Sequence, residues 1–174
     1  MQEKSILIAV TGSIAAYKSC ELVRSLVKRD LPVSVLMTAN ATRFVGPLTF
    51  EILSGQKVYT TDWDEGMLHI EVKNRARLLV VAPATANILA KMAQGIADDL
   101  VSTTALALNC PILVAPAMNP NMYRHPATRA NLELLRSRGV HTVGPDGGEV
   151  ICKDAGQGKM SSVAEIEETI LRLL

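Results

Sequence analysis

Short apolar runs alternate with helical patterns along this chain, and the alternation restricts the possible folds more than any other feature. Residues 5–10 and 33–37 predict β-strands, and apolar positions at helical spacing predict a helix between them. Further apolar runs at 78–82 and 112–115 continue the pattern. Strands that alternate with helices in this way form parallel sheets with right-handed crossovers. We therefore predict an α/β fold, a doubly wound parallel sheet in a single domain over residues 1–174.

Charge and cysteine content disfavour several classes of protein. The chain carries 18 basic and 17 acidic side chains with no long run of one sign, so nothing favours nucleic acid or an anionic membrane as a partner. The three cysteines lack CxxC spacing, which disfavours a disulfide framework or a structural metal site. No apolar run approaches the ~20 residues of a membrane-spanning helix, and the first residues do not resemble a signal peptide. We expect a cytoplasmic protein without a metal.

Small polar segments follow the predicted strands, where an open parallel sheet binds its ligands. The first, TGSIAAYK from Thr11, places a glycine and a hydroxyl at a helix N-terminus, which attracts phosphate. It matches neither G-x-G-x-x-G nor the P-loop pattern, so the usual dinucleotide and ATP signatures are absent. The second strand ends at Met37 and Thr38, without the acidic residue that commonly binds a ribose. A mononucleotide such as FMN therefore suits these loops better than a dinucleotide.

Two further segments follow the later strands. APATAN offers the hydroxyl of Thr85 and the amide of Asn87, and PAMNPNMY combines Asn119 with Met118 and Met122. An asparagine amide can bind a substrate carboxylate beside an adaptable thioether wall. An ordinary turn bounded by proline explains APATAN equally well when it is taken alone. The second segment is more unusual, although a turn-forming role before proline explains Asn119 or Asn121 individually.

A glycine-rich stretch at 144–160, GPDGGEVICKDAGQGKM, has neither helical nor strand periodicity. Long loops of this kind inside a compact domain are commonly lids or binding loops, so we interpret it as a flap. It carries Cys152, whose thiolate Lys153 or Lys159 could stabilise. The alternative is that Cys152 is a small buried hydrophobic residue.

The remaining histidines and cysteines divide into structural and functional candidates. His69 precedes the strand that leads into APATAN and could lie near the end of that strand. His125 precedes a proline and is interpreted as a helix-entry residue, and His141 as a structural residue in a short strand. Cys20 falls on the apolar face of the first helix and is interpreted as a core thiol.

Taken in order, TGSIAAYK, HIE at His69, APATAN, PAMNPNMY and the flap resemble the homo-oligomeric flavin-containing cysteine decarboxylases. The third and fourth segments are similar to that family's PASANT and PxMNxxMW motifs, and the flap to its substrate-recognition clamp. The likeness is strongest to the members that act on 4'-phosphopantothenoylcysteine in coenzyme A biosynthesis. It implies a Rossmann-like or flavodoxin-like flavoprotein subunit that binds FMN, with active sites between the subunits of a trimer that can assemble into a dodecamer.

The resemblance also implies roles for individual residues. His69, Asn119 and Cys152 would be catalytic, with Asn119 and Met122 binding the substrate and Cys152 acting as the acid. The cofactor would be bound by residues from the strand-end segments and from one later helix: Gly12, Ser13, Ile14, Thr38, Thr85, Ala86, Asn87, Ile88, Ser102, Thr103 and Ala117.

The reaction implied by the resemblance is a decarboxylation without net oxidation. FMN would oxidise the substrate thiol to a thioaldehyde, and loss of CO₂ from the thioaldehyde would produce an ene-thiolate. Reduced flavin would then return a hydride while Cys152 supplies a proton. The product would be 4'-phosphopantetheine. Such enzymes also occur fused to a phosphopantothenate–cysteine ligase, which is therefore a possible partner domain.

Several positions depart from the family motifs. Tyr123 stands for a tryptophan, Ile88 for a threonine, Lys153 for a glycine and Lys159 for an arginine. These changes bear on flap flexibility and on phosphate recognition. The alternatives are a peptidyl-cysteine decarboxylase, a flavin prenyltransferase of the same fold, and a non-catalytic flavin-binding regulatory subunit.

Overall fold

The structure is a computed structural model that describes residues 4–61, 74–148 and 156–174. In this part of the chain six parallel strands form one sheet in the order β3-β2-β1-β4-β5-β6. The strands are β1 (Ser5–Val10), β2 (Val33–Met37), β3 (Val58–Tyr59), β4 (Ala76–Ala84), β5 (Ile112–Pro116) and β6 (His141–Thr142).

Helices cover both faces of the sheet in the described ranges. They are α1 (Ala16–Val27), α2 (Pro47–Ser54), α3 (Ala86–Gln94), α4 (Leu100–Ala107), α5 (Pro120–Arg124), α6 (Pro126–Ser137) and α7 (Val163–Leu173), with a 3₁₀ turn at Ala41–Arg43. None of these helices is long and apolar enough to cross a membrane.

Both faces of the central strands are buried, which explains their continuous apolar runs. Along β1, Ile6 and Ile8 face one side with α1, α2 and α7, and Leu7 and Ala9 face the other side with α3, α4 and α6. The predicted doubly wound sheet is therefore confirmed. That the whole of 1–174 forms a single domain stays a prediction.

Element boundaries agree closely with the sequence where an apolar run is uninterrupted. The bounds of β1 and β2 match the prediction residue for residue, whereas the run at 78–82 extends to Ala76–Ala84. Helix α7 begins with the expected capping box between Ser162 and Glu165. His125 is the N-cap of α6, and its Nδ1 accepts the N–H of Ala127 at 3.2 Å, as a helix-entry residue should.

The strand order puts a topological switch point between β1 and β4. From β1 the chain crosses to β2 on one side, and β4 pairs with β1 on the other side. This is the order of the Rossmann fold, in which ligands bind beyond the carboxyl ends of the strands at that point. The fold therefore directs attention to the segments that follow β1 and β4.

Candidate cofactor site

A cavity of about 560 Å³ lies at the carboxyl ends of the central strands, within the usual size range of small-molecule sites. We call it the strand-end cavity. It is lined by Thr11, Gly12, Ser13, Thr38, Ala39, Asn40, Thr85, Ala86, Asn87, Ile88, Lys91, Asp99, Ala117, Met118 and Met122.

Most of the residues assigned to the cofactor from sequence meet in this cavity, although they come from four separate segments of the chain. The lining includes Gly12, Ser13, Thr38, Thr85, Ala86, Asn87, Ile88 and Ala117, and also Met122, which was assigned to the substrate. Their binding roles stay predictions.

The other candidates lie elsewhere. Ile14 adjoins the cavity with 51% of its surface exposed, and Ser102 and Thr103 lie in the first turn of α4. His69 and Cys152 fall outside the described residues.

Thr11 and Thr85 connect the ends of β1 and β4. The buried hydroxyl of Thr11 donates to the carbonyl of Pro83 at 2.6 Å and accepts the backbone N–H of Thr85 at 3.3 Å. Thr85 is in turn the N-cap of α3, and its Oγ1 accepts the N–H of Ile88 at 3.3 Å. Sequence reasoning did not assign a role to Thr11. Its position as the first residue after a buried strand was the available signal.

Gly12 allows the loop after β1 to lie directly against the loop after β2. A Cβ atom at Gly12 would stand 2.6 Å from the Cβ of Asn40, closer than real Cβ atoms approach. Asn40 and its neighbour Ala39 line the cavity and belong to the segment after β2, but neither was assigned an individual role from sequence. The glycine is therefore required for close approach of two loops.

The cavity offers backbone N–H groups and hydroxyls to an anion. The first N–H groups of a helix have no partner within the helix and lie at the positive end of its dipole. Helices α1 and α3 both begin beside the cavity, and Ser13 and Thr38 add hydroxyls that also cap local turns. This donor set suits a phosphate ester.

Lys91 and Asp99 are the charged side chains among the described residues that line the cavity. The Lys91 ammonium contacts Asp98 at 2.6 Å and Asp99 at 2.7 Å. Burial opposes the charged form of Lys91, but the hydrogen bonds that its ammonium group donates to the two carboxylates raise its pKa above the usual value. Because its charge is already compensated, we expect a bound phosphate to rely on hydroxyl and N–H donors.

Ser102 has a structural partner that explains its burial. Asp99 is the N-cap of α4, accepting the N–H of Ser102 at 2.9 Å, while the Ser102 hydroxyl interacts with the N–H of Asp99 at 3.2 Å. Ser102 lines a neighbouring cavity of about 340 Å³ rather than the strand-end cavity. Its contact with a cofactor stays a prediction.

Asn119 is held at the start of α5, directly after the cavity-lining Met118. Its Oδ1 accepts the backbone N–H of Asn121 at 2.7 Å, so the amide caps the helix. Met118 donates its N–H to the carbonyl of Gly158, which belongs to the flap, at 2.9 Å. The predicted carboxylate-binding segment and the described part of the flap are therefore in direct contact.

The two described cysteines, Cys20 and Cys110, are partly buried and free of disulfides. Burial raises the pKa of both thiols, so neither has the character of an activated nucleophile. Cys20 packs against the core on the α1 side of the sheet, as predicted. The described residues contain no group of three or more His, Cys, Asp or Glu side chains that could hold a metal ion.

A Rossmann-type sheet with a cavity suited to a phosphate at its switch point is typical of proteins that bind a dinucleotide or a mononucleotide. The chain belongs to the Flavoprotein family, whose model matches residues 1–174.

Three similar proteins support this assignment. The coenzyme A biosynthesis bifunctional protein CoaBC of Bacillus subtilis is 42% identical over 177 residues, which cover 99% of this chain and 43% of that protein. A solved structure of a cysteine-to-serine PPC decarboxylase mutant complexed with pantothenoylaminoethenethiol is 31% identical, with a TM-score of 0.88 and 98% coverage of both chains. The FMN-dependent cysteine decarboxylase SpaF is 32% identical, with a TM-score of 0.82 and coverage of 98% and 97%. The chain thus spans less than half the length of the curated relative.

Proposed function

We propose that this chain is an FMN-dependent decarboxylase that converts 4'-phosphopantothenoylcysteine to 4'-phosphopantetheine and CO₂ in coenzyme A biosynthesis. The observation that carries the proposal is the strand-end cavity, which gathers the motif residues after β1, β2, β4 and β5 into one site. The similarity to CoaBC over 99% of the chain and to PPC decarboxylase over 98% supports the same assignment.

The residues of the cavity fit FMN. Gly12, Ser13, Thr38 and the segment 85–88 supply the small side chains, hydroxyls and N–H groups that a phosphate and a ribityl chain need. Ala117 and Met118 supply apolar surface for a flat ring. Ile14, Ser102 and Thr103 would lie near the cofactor. When bound, FMN would supply a reversible two-electron oxidation at the thiol-bearing carbon of the substrate, without which loss of CO₂ would leave an unstabilised carbanion.

Asn119 would hold the substrate carboxylate, with Met122 beside it. The NH₂ group is the half of the amide that can donate a hydrogen bond to a carboxylate. Held in this way, the carboxylate would stay aligned for departure as CO₂.

We assign the final proton transfer to Cys152 and an active-site role to His69. A positioned acid contributes roughly 10²–10⁴ in rate. The partly buried Cys20 and Cys110, whose pKa values are raised by burial, are poor alternatives for the acid because they lie outside the cavity lining.

We further propose a homo-oligomer, either a trimer or a dodecamer, in the cytoplasm. Large apolar side chains are exposed on the adjoining helices α1 and α2 and the turns before them, and Ile14 lies beside the cavity. Such a surface suits contact with a second copy. The greater length of CoaBC supports a phosphopantothenate–cysteine ligase domain as a natural companion.

The main rival is a peptidyl-cysteine decarboxylase, because SpaF is a cysteine decarboxylase of the same fold. The decisive experiment is mass spectrometry of the products formed from phosphopantothenoylcysteine and from a peptide with a C-terminal cysteine. We expect loss of CO₂ from the first substrate only. Turnover of the peptide alone would establish the rival, and a protein that cannot be loaded with FMN would refute both.

The variant Cys152→Ser tests the role of the thiol. We expect it to release CO₂ but to accumulate an unreduced product, because the proton donor of the last step is missing. Full conversion to 4'-phosphopantetheine by this variant would remove Cys152 from its assigned role.

A further inference from the structure

The two described stems of the flap, 144–148 and 156–160, are hydrogen-bonded to each other. Together with the adjoining Ser161, we call them the flap neck. Asp146 donates its N–H to the carbonyl of Lys159 at 2.8 Å, and Gly158 donates its N–H to the carbonyl of Asp146 at 3.2 Å. The hydroxyl of the buried Ser161 donates to Oδ1 of Asp146 at 2.7 Å. The neck is therefore a defined piece of structure.

The neck is also anchored to the body of the protein. Met160 is 2% exposed and belongs to the core formed with α1, α2 and α7. The ammonium group of Lys18 in α1 donates to the Met160 carbonyl at 3.1 Å. Because the neck is held against the core, a residue in the neck can fix the position of a segment that packs against it.

Gly158 is the point at which the neck touches the loop that carries Asn119. Its carbonyl accepts the N–H of Met118 at 2.9 Å. A Cβ atom at Gly158 would lie 2.3 Å from the carbonyl oxygen of Met118, 3.3 Å from the nitrogen of Pro120 and 3.4 Å from the carbonyl carbon of Asn119. All three are backbone atoms, so the conflict cannot be relieved by rotation of a flexible side chain.

We propose that Gly158 is a positioning residue that acts through Asn119. Lacking a side chain, it lets the flap neck lie against the backbone of residues 118–120 and sets where the Asn119 amide meets the substrate carboxylate. The inference rests on the proposed decarboxylase function and deepens it, because it assigns a role to a residue that does not itself touch the substrate.

The variant Gly158→Ala measures the effect. The contact with Met118 must open by about 1 Å to reach ordinary van der Waals distance. A misplacement of that size can cost about 100-fold in rate. We expect a loss of this order in kcat, with FMN affinity within a few-fold of wild type because the proposed phosphate-binding residues Gly12, Ser13 and Thr38 and the segment 85–88 are untouched.

Gly147→Ala is the matched control. It makes the same substitution in the same neck, at a position where an added Cβ meets no atom of the described residues within 4 Å. We expect wild-type turnover. Equal turnover of Gly158→Ala and Gly147→Ala would overturn the inference.

A double-mutant cycle separates positioning from a general structural effect. In an Asn119→Ala background, Gly158→Ala should cost less than about 3-fold, because the residue through which it acts is gone. A full 100-fold loss in that background would show another route and refute the proposal.

Hydrogen exchange tests the contact between Gly158 and Met118 without relying on enzyme activity. Hydrogen exchange at the Met118 amide, measured without substrate, should accelerate in Gly158→Ala. Unchanged exchange would overturn the inference, and this result does not depend on activity. A wild-type protein without decarboxylase activity would refute only the proposed function.

If Gly158→Ala fails to fold, Ser161→Ala loosens the neck more gently by removing its bond to Asp146. A several-fold loss that disappears in the Asn119→Ala background supports the inference, and wild-type kcat or a loss that persists there refutes it.

Discussion

The Thr85 hydroxyl has two proposed roles, helix capping and FMN binding, which can be measured separately as Tm and Kd in one variant. Its hydroxyl oxygen caps α3 by accepting the N–H of Ile88, and the same side chain lines the strand-end cavity. Loss of such a cap costs about 1 kcal/mol, which corresponds to a Tm lower by about 2–4 °C in a domain of this size. If the hydroxyl also donates to a phosphate oxygen of FMN, its loss costs roughly 1.5–3 kcal/mol of binding, or about 10- to 150-fold in Kd.

The assay compares Thr85→Ala with two controls. Thr85→Ser keeps the hydroxyl and is an equally good cap, so Tm and FMN affinity should both stay near wild type. Ser162→Ala removes the cap of α7, whose residues do not line the cavity, and should lower Tm without weakening FMN. Thermal scans of cofactor-free protein give Tm, and quenching of flavin fluorescence gives Kd.

The reasoning fails in two recognisable ways. A Thr85→Ala protein with a lower Tm but wild-type FMN affinity would exclude the hydroxyl from cofactor binding. A protein with weakened FMN binding and an unchanged Tm would show that the 3.3 Å contact with Ile88 does not stabilise α3.

Three further predictions concern stability and reactivity. Glu167 is 7% exposed and accepts hydrogen bonds from Ser25, at 2.6 Å, and from Arg29; Glu167→Ala should lower the free energy of unfolding in urea by roughly 1–3 kcal/mol, whereas exposed Glu168→Ala should not. Hydrogen bonds from the capping serine of α7 hold the pKa of Glu165 below its usual value, so its contribution to stability is complete above that value and is lost as pH falls through the lower, folded pKa. The variant Ser162→Ala should therefore flatten the acid limb of a plot of Tm against pH. An unchanged limb would contradict the role of Ser162 in lowering the pKa of Glu165. The two described cysteines, with pKa values raised by burial, should react slowly with an aromatic disulfide at neutral pH until urea is added.

Local patterns determined much of the fold because they are encoded within a few consecutive residues. The apolar runs of β1 and β2 and the capping box at Ser162 need no distant partner to be recognised, and all three are present as predicted. β4 was predicted too short because Arg77 interrupts the apolar run, yet parallel pairing with β1 begins at Ala76. Pairing across a sheet can therefore extend a strand beyond its own pattern.

The motif segments could be selected from sequence because small polar residues after buried strands are suited to bind a ligand. What the sequence alone could not supply is the set of contacts that turns four segments into one cavity. Thr11 meets Pro83, Gly12 meets Asn40 and Gly158 meets Met118 across long stretches of chain.

By itself, the sequence determined the alternation of strands and helices, the helix caps and the polar loops after the strands. Only the tertiary structure decided which loops are neighbours, because alternation predicts parallel strands but not that β1 lies between β2 and β4. That order brings the loops after β1, β2 and β4 to one edge of the sheet. The same packing places the backbone of Gly158 against the segment that carries Asn119, a contact between atoms common to every residue that no side-chain pattern could have revealed.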